Sequence, residues 1–337
     1  MAIKLGSQTY KFDSDIRVIS TGSVVGPVEG IGPLRNLYDD IVRDEDISSD
    51  SFEKVETNML LLSYRHAMEK AALSENDIDI FIGGDLLNQI VVTAFAAREI
   101  ARPYWGIYGA CATFGEALQV AACAIESGIA QKAMASSSSH FSTAERQYRT
   151  PLEQGVQPSV TAQRTVTGSG CAILSKGGVG PKITAFTIGK VVDFGVKDLA
   201  DMGSAMAPAA ADTILTMFES TRTNFDDYDL VLTGDLATVG HAIASKLLES
   251  EGYQHSGNFS DCGILVYEHG KQHIADTGGS GAGSASSVFG AYVFPKLLNR
   301  ELNKVMLVPT GALMSPVTTY QKESIPSIAH AVVFEND

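Results

Sequence analysis

Cys111 heads the stretch of this chain with the most chemical promise, GACATFGEALQVAACAIESG from Gly109 to Gly128. A Gly-Ala turn precedes the cysteine, and apolar residues then recur at helical spacing, so the thiol is expected at a helix N-terminus. The macrodipole there lowers a thiol pKa and favours the nucleophilic thiolate. The competing role is that of a small buried hydrophobe, the usual fate of an unpaired cysteine. Ser136 to Ser139 followed by His140 is a second candidate. A polar run just past a strand forms either the wall of a site or a solvated loop. No GxSxG elbow surrounds these serines, which argues against a hydrolase of that type. Asp85 and Asp235 are a third: two carboxylates at related strand ends would suit a hard cation such as Ca²⁺. Capping of the helix that follows is the more ordinary role of such an aspartate. His269 and His273 are four apart but lack the two further ligands that zinc requires.

The elements that must position these residues are written twice. Asp77 to Leu86 reads DIDIFIGGDL and Asp227 to Leu236 reads DYDLVLTGDL. Asp77/Asp227, Asp79/Asp229, Gly84/Gly234, Asp85/Asp235 and Leu86/Leu236 are identical pairs. Short apolar runs bounded by Asp and Gly predict buried strands of a mostly parallel sheet. A helical pattern follows each copy, QIVVTAFAAREI in the first and HAIASKLLES in the second. The chain therefore reads as one α/β half repeated, with halves at 1–185 and 186–337. A site is expected near their junction, at the carboxyl ends of the strands.

Other segments fill in the halves. Residues 16–28 predict a strand entering a Gly/Pro loop, and 39–57 an exposed acidic, Ser-rich loop. An amphipathic helix is expected over 56–73, a strand over 164–178 with a Gly-Ser-Gly kink, and helices over 209–221 and 240–251. Residues 253–275 have no counterpart in the first half and suggest a hairpin-type insertion. GGSGAGSASS (278–287) reads as a small-residue loop opening onto a helix. It misses GxGxxG, so close backbone packing explains its glycines better than a dinucleotide does. Residues 304–316 predict a last buried strand with a Gly turn.

Composition narrows the function classes. The 337 residues are 45% hydrophobic and 19% charged, an ordinary mixture for one large or two coupled α/β cores. A net charge of -14 argues against nucleic acid as a partner and against direct attraction to anionic lipid. No apolar run approaches a membrane span, and the N-terminus lacks the pattern of a signal peptide. Cys111, Cys123, Cys171 and Cys262 are scattered without a CxxC, as expected of thiols rather than disulfides.

Cys111 at a strand-to-helix turn inside a duplicated α/β half resembles the thiolase superfamily. GACATFGEALQVAACAIESG resembles the nucleophile segment of its ketoacyl-acyl-carrier-protein synthase III type. RTVTGSGCAILSK resembles the Gly-x-Gly-Ala strand that follows there, and KVMLVPTGALMSP the final strand and Gly turn. The resemblance implies a thiolase-like five-layer αβαβα fold with internal duplication, and a homodimer. It also implies a His at the end of the second echo strand and an Asn or second His in a later loop. Here the first position falls on Gly234 or Asp235, and the later loop is GGSGAGSASS. Losing an oxyanion donor typically costs about 10²–10³ in rate, and an ionised Asp is an acceptor only. No condensing activity is therefore expected.

GGDLLNQ, YGACATFGEAL and SSSSHFSTAERQYR together resemble one branch, the stage V sporulation protein AD family of endospore-forming bacteria. That resemblance implies a non-enzymatic protein that binds dipicolinic acid as its calcium chelate and supports its uptake into the developing spore. The partners it implies are integral membrane proteins of the same stage V sporulation A set. Its implied location is the cytoplasmic face of the forespore or spore inner membrane, held peripherally. Cys111, His140, Asp85, Asp235, Arg149 and Ser138 are the expected ligand-binding residues, with Arg146 as another cation within reach. Any Ca²⁺ would be brought by the ligand, and no other cofactor is expected. The alternative is a degenerate acyltransferase that uses Cys111 on an acyl thioester.

Overall fold

The computed structural model describes residues 2–43, 51–148, 159–268 and 277–337. Ten strands carry the architecture. They are β1 (Ile16–Val25), β2 (Ile80–Gly84), β3 (Tyr104–Gly106), β4 (Lys132–Ser139), β5 (Gly168–Lys176), β6 (Lys182–Thr187), β7 (Leu230–Thr233), β8 (Phe259–Asp261), β9 (Lys304–Val308) and β10 (Ala331–Glu335). The first five lie in the order β3-β2-β4-β5-β1 and the last five in the order β8-β7-β9-β10-β6. In the first group β2 runs parallel to β3 and β4, while β5 is antiparallel to β4 and β1. In the second, β7 runs parallel to β8 and β9, while β10 is antiparallel to β9 and β6. Each strand of the first half thus has its counterpart five strands later. The halves meet edge to edge where β1 touches β6, at Arg17 and Lys182. The expected division at 185/186 falls inside β6.

The helices repeat as well. Helices α1 (Phe52–Lys70), α2 (Val91–Ile100) and α3 (Thr113–Glu126) belong to the first half, with α4 (Phe141–Tyr148) added after β4. Helices α5 (Met202–Thr221), α6 (Ala237–Ser250) and α7 (Ala282–Val288) follow in the second. Three cores separate five layers. Leu60 and Ala96 of α1 and α2 pack on Phe81, Met134 and Ile173 of the first sheet. Met206, Ile214 and Leu248 of α5 and α6 pack on Val231, Met306 and Val333 of the second. Between the sheets, Phe114 and Leu118 of α3 and Val288 of α7 meet Ile82, Leu174, Leu232, Leu307 and Val332. Neighbours such as Val231 and Leu232 enter opposite cores, because side chains alternate across a sheet. Both faces are covered, which is why runs such as 80–82 and 305–308 are apolar at consecutive positions.

The echo has a structural purpose. Asp77 and Asp227 each close a capping box with a residue three positions earlier, Ser74 and Asn224. The Asp79 carboxylate accepts from the amides of Gln131 and Lys132, and Asp229 does the same for Asn303 and Lys304. Each aspartate ties its strand to the start of the parallel neighbour. The two echo segments therefore occupy equivalent places in the two halves.

Three local expectations are corrected. Ser136 to Ser139 do not follow a strand but complete β4, and all four are fully buried. Hydroxyls are tolerated there because backbone acceptors lie within reach: Ser136 donates to Gly170 O, Ser137 to Ala282 O and Ser139 to Val166 O. The described part of the 253–275 stretch, 253–268, is not a hairpin insertion, because Phe259–Asp261 pairs parallel to β7 as the counterpart of β3; 269–275 lie outside the described residues. Most of the stretch 278–287 is not loop, since α7 begins at Ala282. Its small residues let the helix seat against β5: a Cβ on Gly170 would lie 2.3 Å from the Ser286 carbonyl group.

Candidate functional site

The cysteine turn is built by the residues around it. Ala110 adopts a left-handed conformation, with φ of 53°, and starts a single 3-10 turn through Ala112 that runs into α3. Thr113 locks the turn: its hydroxyl donates to Ala110 O at 2.6 Å and lies 3.1 Å from the Gly109 amide, which donates to it. The turn of the last strands presses on it so closely that a Cβ on Gly311 would lie 2.1 Å from Gly109 O. Cys111 is left half-buried, at the N-terminal side of α3, as its local sequence predicts.

Cys111 opens onto a narrow cavity of about 50 Å³, or about 460 Å³ when the adjoining space open to solvent is counted. Ala110 and Ala312 form the floor with the cysteine, while Met202 and Met314 supply flexible apolar walls. Thr165, Ser280 and Gly281 contribute from the second wall. Helix α4 adds Ala144, Glu145 and Tyr148. Tyr108 and Tyr148 share a hydrogen bond of 2.9 Å, and Tyr148 also donates to Leu86 O. Burial raises the pKa of both phenols, so they stay protonated and neutral. Glu145 is the one carboxylate on this wall, and the lining includes no His, Lys, Arg, Asn or Gln among the described residues.

The expected site residues separate. Cys111 lines the cavity; Asp85, Ser138, His140 and Asp235 do not. Asp85 is fully buried, and its carboxylate accepts from the Leu87 amide and from the amide and hydroxyl of Thr93 in the first turn of α2. That is the helix-capping role. Ser138 donates to Glu56 at 2.9 Å. His140 is 3% exposed, stacks on Phe52 at 5.3 Å, and accepts from the Ser142 amide through Nδ1. Burial and the nearby Arg164 push its pKa down to about 4, which leaves the ring neutral. Arg146 pairs with Glu53. Arg149 lies outside the described residues, as do His269 and His273.

Asp235 departs from its echo. The amide two residues on, which Asp85 takes from Leu87, would be that of Ala237 for Asp235, but it goes instead to Asp261 at 2.9 Å, as does that of Leu236. Asp235 is fully buried and accepts from the Thr310 amide at 3.3 Å. Burial and the charge of Asp261 raise its pKa well above the carboxylate range, so it is a neutral acid behind the Gly281 wall. It does not cap α6; Asp261, on the neighbouring strand β8, has taken that task.

Residues that the sequence does not single out matter here. Glu145 and the Tyr108–Tyr148 pair reach the cavity through the placement of α4, which no periodicity announces. Glu56 of α1 is buried against β4 and α4, accepting from Ser138 and from Thr143 at 3.0 Å. Burial, reinforced by the charge of Asp85, pushes its pKa up to about 8. No group of three or more His, Cys, Asp or Glu among the described residues is arranged to hold a metal ion, and none of the four cysteines forms a disulfide. No helix among them is long and apolar enough to cross a membrane.

Comparison with known proteins agrees with this geometry. The family model described as stage V sporulation protein AD matches residues 6–335. The stage V sporulation protein AD of Bacillus subtilis (strain 168) is 44% identical over 330 residues, covering 98% of this chain and 97% of the relative. Among solved structures, 3-oxoacyl-[acyl-carrier-protein] synthase III from Aquifex aeolicus VF5 superposes with a TM-score of 0.59 at 14% identity, covering 95% of this chain and 100% of that one. Acetyl-CoA acetyltransferase from Syntrophomonas wolfei gives 0.60 at 11% identity, covering 96% and 100%. At such identities these structures establish the thiolase-like fold alone.

Proposed function

The chain belongs to the stage V sporulation protein AD family, and on that premise we propose that it is a non-catalytic binding protein for dipicolinic acid. It takes the acid as its calcium chelate in the cavity beside Cys111 and supports its uptake into the developing spore. The observation that carries this reading is the state of the cavity. The thiol still opens onto a recess, but that recess has no imidazole or side-chain amide among its described lining residues. Asp235, at the end of the second echo strand, lies behind the wall as a neutral buried acid. A cavity that keeps its shape without an imidazole or side-chain amide beside the thiol suits retention of a ligand better than turnover. Dipicolinate is a flat pyridine with two carboxylates, and its neutral calcium chelate suits a small, largely apolar space.

Several companions of this function belong to the same proposal. The protein acts peripherally at the cytoplasmic face of the forespore or spore inner membrane, through integral membrane proteins of the stage V sporulation A set. Its charge of -14 and the absence of a membrane-crossing helix among the described residues support attachment through partners. It works as a homodimer. The supporting feature is β3, the edge of the first sheet, which among the described residues pairs with β2 alone and leaves Trp105 43% exposed.

One observation favours a second reading, acyl transfer through Cys111: the left-handed Ala110 and the start of α3 still present the thiol to the cavity as a nucleophile would be presented. Intact-mass detection of an acyl group on Cys111 after incubation with acyl-CoA would favour it. The proposed function is tested by titration calorimetry with dipicolinate and Ca²⁺ on the wild type and on Cys111→Trp, whose indole fills the cavity. The wild type should bind and C111W should not. Equal affinity in the two would place the ligand elsewhere.

A further inference from the structure

On the reading that the recess beside Cys111 is the ligand site, we infer that it stands here in a closed state, and that the last turn of α4 is its gate, latched by Tyr148 onto the strained segment 86–90. The recess as it stands is too small for dipicolinate. About 50 Å³ holds a few waters, whereas ligand sites run to roughly 300–1,000 Å³. A wall must yield, and the two ends of α4 are held very differently. At its start the Phe141 amide donates to Thr167, Thr143 donates to the buried Glu56, and His140 just ahead of it stacks on Phe52. At its end Arg146 pairs with Glu53, Gln147 accepts from the Asn88 amide at 3.1 Å, and Tyr148 donates to Leu86 O while sharing a hydrogen bond with Tyr108. Each of these last contacts is at least partly open to solvent. The apolar hold is slight as well: Leu86, Ala144 and Ala282, with Cys111 and Tyr148 against them, form a small cluster apart from the main cores. Few buried apolar contacts and solvated hydrogen bonds mark a region that opens locally.

The segment that receives the latch is under strain. Gln89 and Ile90 have φ of 57° and 46°, left-handed backbone at two consecutive residues that are not glycine. Ile90 is β-branched, and for such a residue this conformation is an outlier. Strain of this kind persists only where the surroundings over-determine it. On one side Asp85 fixes Leu87 and Thr93. On the other, Tyr148 and Gln147 at the end of α4 hold Leu86 and Asn88. Releasing the latch lets residues 89 and 90 relax, so the strain offsets part of the bonding lost when the gate opens. The closed and open states are thereby brought close in energy, and a ligand that needs the larger space shifts the balance toward opening.

The test times access to the Cys111 thiol in the full chain carrying Cys123→Ser, which removes the exposed thiol. The probe is N-phenylmaleimide, whose ring is too large for the closed recess, and its adduct is read at Cys111 by peptide mass. Rates are corrected for the thiol pKa that the pH profile of each variant gives, so that altered reactivity is not read as access. Thermal melting checks that each variant is folded. Tyr148→Phe removes the latch and should speed labelling by about three- to tenfold, the equivalent of one hydrogen bond. Gln89→Gly accepts the left-handed conformation without a steric cost; it relieves the closed state and should slow labelling by at least about threefold. Calcium dipicolinate should protect Cys111 in the wild type. If Y148F labels at the wild-type rate, or Q89G labels faster than the wild type, the gate is refuted, whether or not the chelate protects. If both rates move as expected and the chelate gives no protection, the gate stands and the ligand reading is the part that fails.

Discussion

Replacing Glu56 by glutamine should make the protein less sensitive to alkaline pH. Glu56 is 1% exposed, and its two oxygens accept from Ser138 and Thr143 at 2.9 and 3.0 Å. Burial is the main cause that raises its pKa from 4.5 to about 8, and the charge of Asp85 adds to it, against the smaller lowering effect of the two hydroxyl bonds. The folded state therefore holds a proton that the unfolded chain releases near its ordinary pKa of 4.5. The sign follows from linkage: where the folded state binds more protons, stability falls as pH rises. Glu56 contributes its full share below about pH 4.5. That share is lost progressively up to about pH 8, after which the curve is flat again. At about 1.4 kcal/mol per pH unit, a rise of this size amounts to about 5 kcal/mol across the window. With about 2.1 cal/mol/K of unfolding entropy per residue, that corresponds to roughly 7 °C in Tm for this chain. In E56Q the new side chain places an amide where the protonated acid has its hydroxyl, with nothing to titrate. Scanning calorimetry of wild type and E56Q at intervals from about pH 5 to 8, inside the window of the linkage, should show a difference that grows in favour of E56Q as pH rises. Glu56→Ala, which strands both hydroxyls, should be destabilised throughout. Curves for wild type and E56Q that stay parallel across the range would refute the argument.

Two further outcomes follow from the fold and the site. Gly170→Ala should lower Tm, at a cost of about 1–3 kcal/mol, because its methyl meets the backbone of α7 at Ser286 rather than a flexible side chain; an unchanged melting curve would show that α7 has room to move. Malonyl thioesters should not be decarboxylated beyond background, since no imidazole or amide faces Cys111 among the described lining residues; radiolabelled CO₂ release by the wild type that vanishes in Cys111→Ala would contradict this.

The doubled architecture was legible in the chain because it is encoded locally. A short apolar run between Asp and Gly is a buried strand in both copies, and Asp79 and Asp229 recur because each ties its strand to the next. Cys111 was legible for the same reason: its turn and helix are set by its immediate neighbours, Ala110 and Thr113. What identity of residue type did not reveal was the divergence of Asp85 from Asp235. Both are the same letter after the same glycine, yet one caps a helix and the other is a neutral acid, because Asp261, brought alongside by β8, takes the amides the second would have taken. The serine run reads as polar loop in one dimension and is buried strand in three, since only the folded chain supplies carbonyls for those hydroxyls. Glu145 stood unremarked in a short helix until α4 was laid against the cysteine turn. Strands and turns depend on neighbours in sequence and can be read there. A cavity is a gap between segments far apart in the chain, so its walls and their charge are decided only by packing.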